Sequence, residues 1–152
     1  PVLALPAPYG GHNWHPMAYS PLTGLIYIPA QDIPFAYGSD ENFTFKPGLW
    51  NVGVNPLFAS LAEQPPEAQA ELMGMVKGQI IAWDPVERRE VWRFQHALPW
   101  NGGMLATAGN LVFQGNSVGD FAAYRADTGE QLWLTSAQNR HCRLTGHLRN
   151  RR

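Results

Sequence analysis

The chain is poor in cysteine, in charge and in long apolar runs. Cys142 is alone among 152 residues, so no internal disulfide can form, and no Cys or Cys/His cluster offers the spacing of a structural zinc site. The apolar stretches, such as Leu25 to Ile28, fall far short of the roughly 20 residues a membrane span requires, which excludes a transmembrane protein. Nor do helical patterns of 10 to 15 residues alternate with strands, so a doubly wound α/β fold is not expected. The first residue is Pro1, and no charged segment followed by an apolar one precedes the body, so a targeting segment is either removed or not included.

Charged residues make up only 15%, and the net charge of -1 is uneven. Five of the eleven basic residues are arginines in 134–152, a stretch without acids, which leaves six basic against twelve acidic residues in 1–133. An Arg-rich tail supplies only a non-specific phosphate attraction, and the body has no basic stripe to read a groove, so no nucleic-acid partner is expected. In abundance instead are Gly (15) and Pro (13), with six Trp and seven Phe. That balance describes a turn-rich globular chain rather than a disordered one.

A repeat organises it. Gly78-Gln-Ile-Ile-Ala-Trp-Asp-Pro-Val-Glu-Arg-Arg-Glu-Val-Trp92 aligns without gaps on Gly119-Asp-Phe-Ala-Ala-Tyr-Arg-Ala-Asp-Thr-Gly-Glu-Gln-Leu-Trp133 at an offset of 41 residues. A period near 40 suits one four-stranded propeller blade. Between the copies, Met104-Leu-Ala-Thr-Ala, Leu111-Val-Phe-Gln, Phe121-Ala-Ala-Tyr and Gln131-Leu-Trp-Leu read as short strands, punctuated by Ala108-Gly-Asn110, Asn116-Ser-Val-Gly119 and Asp127-Thr-Gly129. Pro21-Leu-Thr-Gly24 joins Pro16-Met-Ala-Tyr to Leu25-Ile-Tyr-Ile as a further hairpin. Residues 31–64 lack periodicity and suit a surface excursion, and Pro65 to Gly74 offers a short decorating helix with Pro and Glu in its first turn.

Ala123-Tyr-Arg-Ala-Asp-Thr-Gly-Glu-Gln-Leu-Trp133 resembles the tryptophan-docking motif of the pyrroloquinoline quinone (PQQ) dependent dehydrogenases, departing only at Arg125. Ala82 to Trp92 is a weaker copy, with Glu87-Arg88-Arg89 where Thr-Gly-Lys is expected, which puts its hairpin turn in question. Trp92 and Trp133 are then packing residues, each burying about 150 to 250 Å² between blades. Upstream, Gly10-Gly-His-Asn-Trp-His-Pro-Met17 and the following Ala18 to Pro29 look like the methanol/ethanol dehydrogenase branch of that family. The resemblance implies that Asn13 bonds the cofactor through its amide and that Trp14 contacts it through backbone or ring edge. Trp100, before Gly102-Gly103, is implied near the quinone in the same way. PQQ is a flat tricarboxylate, which needs donors in its plane and flat surfaces over its faces. From spacing alone, Gly-Gly-His-Asn-Trp is a turn leading into a strand, and His12 and His15, without a third ligand, read as loop residues.

The expected fold is therefore an all-β propeller fragment: about three four-stranded blades of an eight-bladed propeller, with one long loop and one short helix inserted. Residues 1–133 form the propeller part. Residues 134–152 read as a frameshifted tail, since Asn139-Arg-His-Cys-Arg143 can be encoded by AAC AGG CAT TGT CGC, one choice among the synonymous codons, which one nucleotide later spells Thr-Gly-Ile-Val-Ala. The resemblance implies a periplasmic alcohol dehydrogenase using PQQ and Ca²⁺, with haem c an option in the full-length parent, an alcohol substrate, and an electron acceptor such as a cytochrome c. The family's vicinal disulfide, Ca²⁺ ligands and catalytic base have no match here, so no catalytic or metal-binding residue is assigned and the chain alone is expected to be inactive. The alternative is a non-catalytic Trp-repeat propeller scaffold, as in outer-membrane assembly factors, which would keep Trp133 without needing Asn13-Trp14.

Overall fold

A computed structural model of the chain describes residues 2–49, 51–54 and 65–137. Strands β1 (Val2–Ala4), β2 (Ala18–Ser20), β3 (Leu25–Asp32) and β4 (Phe35–Tyr37) precede helix α1 (Pro66–Met75). After it come β5 (Lys77–Asp84), β6 (Arg89–His96), β7 (Leu105–Thr107), β8 (Leu111–Gly115), β9 (Asp120–Arg125) and β10 (Gln131–Ser136). Two antiparallel four-stranded sheets, ordered β2-β3-β5-β6 and β7-β8-β9-β10, are meanders of the blade type. The described residues thus hold two complete blades rather than three. The third sheet is a two-stranded ribbon in which β1 pairs with β4. That pairing gives the first part of the 31–64 excursion regular structure: β3 runs on to Asp32, and Phe35-Ala-Tyr37 finds its partner at the N-terminus, too far away in sequence for local pattern to reveal.

Along β3, buried and half-buried residues alternate strictly, as a period of two requires, and the buried register carries Leu25, Tyr27, Pro29 and Gln31. This face meets the second blade. Leu25, Tyr27, Ile80, Ala82 and Trp92 from the first blade pack into one core with Met104, Val112, Ala122, Tyr124 and Ala126. Fully burying the aliphatic side chains among them, Leu25, Ile80, Met104 and Val112, contributes roughly 1.5 to 3 kcal/mol each. Ala126 O accepts both Tyr27 OH and Trp92 Nε1–H, each at 2.9 Å, so one carbonyl satisfies two buried donors across the blade boundary. Helix α1 buries no residue and decorates the sheets.

The repeat is structural as well as sequential. Ala82 stands opposite Trp92 and Ala123 opposite Trp133, each pair beside a register irregularity. The weaker copy still turns: Asp84 Oδ1 accepts the N–H groups of Val86 and Glu87 at 2.9 and 3.0 Å, and Arg88 takes the left-handed backbone (φ 55°) that Gly129 supplies (φ 76°) 41 residues on. β10 continues through Ser136, and Ala137 N–H donates to Gly119 O at 2.8 Å, so sheet pairing extends into the segment expected to be foreign. The remainder of that segment, Cys142 included, and residues 55–64 lie outside the described residues.

Candidate functional site

The site forms where the chain runs into β2 and β7, the edge strands by which the two sheets lie side by side. Residues 7–12 are zipped onto the far end of β3 by three hydrogen bonds: Ala7 N–H to Ile33 O (2.7 Å), Gln31 N–H to Gly11 O (2.8 Å) and His12 Nδ1–H to Pro29 O (2.8 Å). The corresponding run before β7 is fixed by Gly102 N–H to Gly115 O (2.7 Å) and Met104 N–H to Pro16 O (2.9 Å). Gly103 lets the two runs touch, because a Cβ there would collide with the Pro16 ring. Two loops far apart in sequence are thereby held side by side.

Asn13, Trp14 and Trp100, the three residues picked out by the sequence, are brought together. Asn13 and Trp100 line one cleft with His15, Pro29, Ala30, Gln31 and Asn101. Trp14 stacks on Trp100 with centroids 5.2 Å apart and planes 25° from parallel, within the usual range for offset stacking. Tyr9 meets Trp100 edge-on at 5.4 Å, and the His15 ring stacks on Trp14 at 5.1 Å. Trp14 is nonetheless 71% exposed, a large flat apolar surface open to a partner. Asn13 Nδ2 donates one hydrogen to Tyr9 O at 2.9 Å, a turn-closing bond. Its second amide hydrogen and Oδ1 have no partner among the described residues.

Trp100 has the left-handed backbone (φ 60°), which a bulky residue adopts only when its surroundings hold it. Burial first, and the neighbouring His12 second, keep the His15 imidazole below the ordinary His value, which favours its neutral form. The cleft therefore offers amides and aromatic faces rather than charge. His12 serves the loop through Pro29 O, and among the described residues no three His, Cys, Asp or Glu side chains converge to hold a metal.

Sequence reasoning missed Gln31 and Asn101. Both are buried polar residues in the cleft wall. Asn101 Nδ2 donates to Leu98 O at 2.9 Å, and its Oδ1 accepts Ser117 N–H at 3.0 Å, pinning the loop to the second blade. The alternation of β3 carried a signal for Gln31: it is the polar member of the buried register that begins at Leu25.

Comparison with known proteins gives two kinds of likeness. A family model described as outer membrane protein assembly factor BamB matches residues 76–144. A quinohaemoprotein alcohol dehydrogenase of Comamonas testosteroni is 44% identical over 137 residues, covering 88% of this chain and 18% of that protein. The dehydrogenase subunit of an alcohol dehydrogenase (quinone) from Gluconacetobacter polyoxogenes is 45% identical over 136 residues, covering 89% and 18%. The solved structure of a quinohaemoprotein alcohol dehydrogenase from Pseudomonas putida superposes with a TM-score of 0.73 at 36% identity, covering 88% of this chain and 20% of that one. The chain spans about a fifth of the length of these relatives.

Proposed function

The chain belongs to the PQQ-dependent quinohaemoprotein alcohol dehydrogenase family, and from that premise we propose that it forms one wall of the quinone site in a periplasmic enzyme oxidising primary alcohols to aldehydes. The supporting observation is the convergence of Asn13, Trp14 and Trp100 at the neighbouring ends of two blades. An alignment of 137 residues cannot be confined to the 69-residue stretch 76–144, so the likeness to the alcohol dehydrogenases extends into the N-terminal half. The scaffold reading rests on the Trp repeats and on the family model. It requires the blade packing around Trp92 and has no use for an exposed indole beside an amide.

The donor set fits a flat quinone on one side. Trp14 and Trp100 already touch, so a third ring takes the open face of the pair rather than the gap between them. Asn13 can turn its spare N–H or its Oδ1 towards groups in the ring plane. Among the described residues no guanidinium or ammonium lines the cleft, so the cofactor's carboxylates would need counter-charges from elsewhere in the enzyme. PQQ, if bound, would supply the two-electron acceptor for alcohol oxidation, with Ca²⁺ as a second cofactor and an acceptor such as a cytochrome c to take the electrons. This chain's part is to bind, orient and exclude water. Because among the described residues no three His, Cys, Asp or Glu side chains converge to hold a metal, the chain alone is expected to give no turnover in a dye-linked assay with added PQQ and Ca²⁺.

The test is a PQQ titration of the chain and of Asn13→Ala, followed by the quenching of tryptophan fluorescence, together with thermal unfolding of both without cofactor. Loss of one hydrogen bond to a strongly polar group costs roughly 1.5 to 3 kcal/mol, or about 10- to 100-fold in affinity, with little change in Tm. Unchanged affinity with early unfolding would make Asn13 a turn residue and remove it from the site.

A further inference from the structure

We infer that Gln31 is a positioning residue, whose amide holds Trp100 in register with the Gly10–Asn13 turn and so sets the aromatic platform of the cleft. The inference rests on the quinone reading of that cleft. Gln31 is 4% exposed, at a strand position whose register mates Leu25, Tyr27 and Pro29 belong to the buried face. A buried amide is costly unless both its ends are partnered. Here each end reaches one of the two loops: Oε1 accepts Trp100 N–H at 3.4 Å, and Nε2 donates to Gly10 O at 3.5 Å. Both bonds are long, so each is individually weak and the grip lies in their pairing.

The bond to Trp100 matters because that residue has an unfavourable backbone, and its N–H is the group that fixes how the peptide is turned. On the other side, Asn101 anchors the same loop to Leu98 O and Ser117 N–H. Trp100 is thus gripped from the first blade by Gln31 and from the second by Asn101. With that grip its indole lies against Trp14 and Tyr9. Because Tyr9 O receives the Asn13 amide and Gly10 O receives the Gln31 amide, the position of Asn13 is set by the same network.

The experiment uses the 152-residue chain. Two stacked indoles give an exciton couplet in far-ultraviolet circular dichroism, assigned to the Trp14–Trp100 pair by its disappearance in Trp14→Phe. Gln31→Met, similar in shape but without the amide, is expected to lose most of that couplet and to weaken PQQ binding by roughly tenfold. Gln31→Glu keeps the acceptor for Trp100 N–H but gives up the donor to Gly10 O, and is expected to retain more of the couplet than Gln31→Met, a graded rescue that volume alone would not produce. If the couplet persists in Gln31→Met, or vanishes equally in Gln31→Glu while that variant stays folded, the positioning role is overturned whatever PQQ does. If the unsubstituted chain shows the couplet but binds no PQQ, the quinone reading fails and the positioning role stands on the couplet.

Discussion

Trp92 and Trp133 occupy the same place in the repeat, yet the structure treats them differently. Trp92 is 9% exposed, its indole N–H bonded to Ala126 O and its ring laid over Gly129 of the next blade. Trp133 is 49% exposed, with Phe121 edge-on at 6.2 Å as its aromatic neighbour. Both stand opposite an alanine on the preceding strand. What separates them is the shelf: the second blade presents Ala126 to Gly129 to Trp92, and among the described residues nothing equivalent faces Trp133. The motif is therefore half of an interaction, and its energy depends on the neighbouring blade.

The largest consequence is a difference between identical substitutions. Trp92→Ala should destabilise the chain by about 3 to 5 kcal/mol through the cavity it leaves, whereas Trp133→Ala should cost at most about half of that, as read from urea midpoints. Equal losses would mean that Trp133 is covered by something the comparison omits. The shelf itself comes next. Gly129→Ala places a methyl group against the Trp92 ring on a left-handed backbone and should cost about 1 to 3 kcal/mol. The equivalent position in the weaker copy should respond in the opposite sense. Arg88→Gly relieves left-handed strain and should raise stability by up to about 1 kcal/mol, measured in the same denaturation.

A smaller effect probes the blade boundary through pH. His96 is buried at the end of β6, with its Nε2 2.8 Å from Gln114 Oε1 on the second blade. Burial pushes its imidazole below the ordinary His value, and the bond to Gln114 offsets only part of that. Because the folded value is depressed, the unfolded chain takes up the proton first on acidification. Stability is then full above the ordinary His value and falls as the pH drops through it towards the folded one. Tm recorded from pH 8 to pH 5 should decline, and His96→Gln should flatten that decline.

How much of this was legible in the sequence follows from what is local. The 41-residue offset, the Ala–Trp pairs and the turns at Gly24, Gly119 and Gly129 rest on neighbouring residues, and the structure has them where the pattern put them. The doubtful turn at Arg88 forms because the Asp84 carboxylate caps it and two eight-residue strands pair across it, overriding the cost of one strained residue. The unequal burial of the two tryptophans was hidden, since it depends on a neighbouring blade. So was the β1–β4 ribbon. In the site, Asn13, Trp14 and Trp100 came from resemblance, and composition and spacing gave only a turn leading into a strand. Gln31 went unnoticed because a lone polar residue in a strand is ordinary until its register shows it facing inward.

The contrast between architectural and site tryptophans leads to the most direct measurement of the central claim. In ¹H–¹⁵N spectra of the chain, each indole Nε1–H gives one signal, assignable by single Trp→Phe substitutions. On addition of PQQ the account predicts that the signals of Trp14 and Trp100 move together and saturably, that Asn13→Ala weakens the response, and that those of Trp92 and Trp133 stay in place. If PQQ instead shifts Trp133 and leaves Trp14 and Trp100 unmoved, the cleft between the blade ends is not the quinone wall and the assignment of Asn13, Trp14 and Trp100 is contradicted.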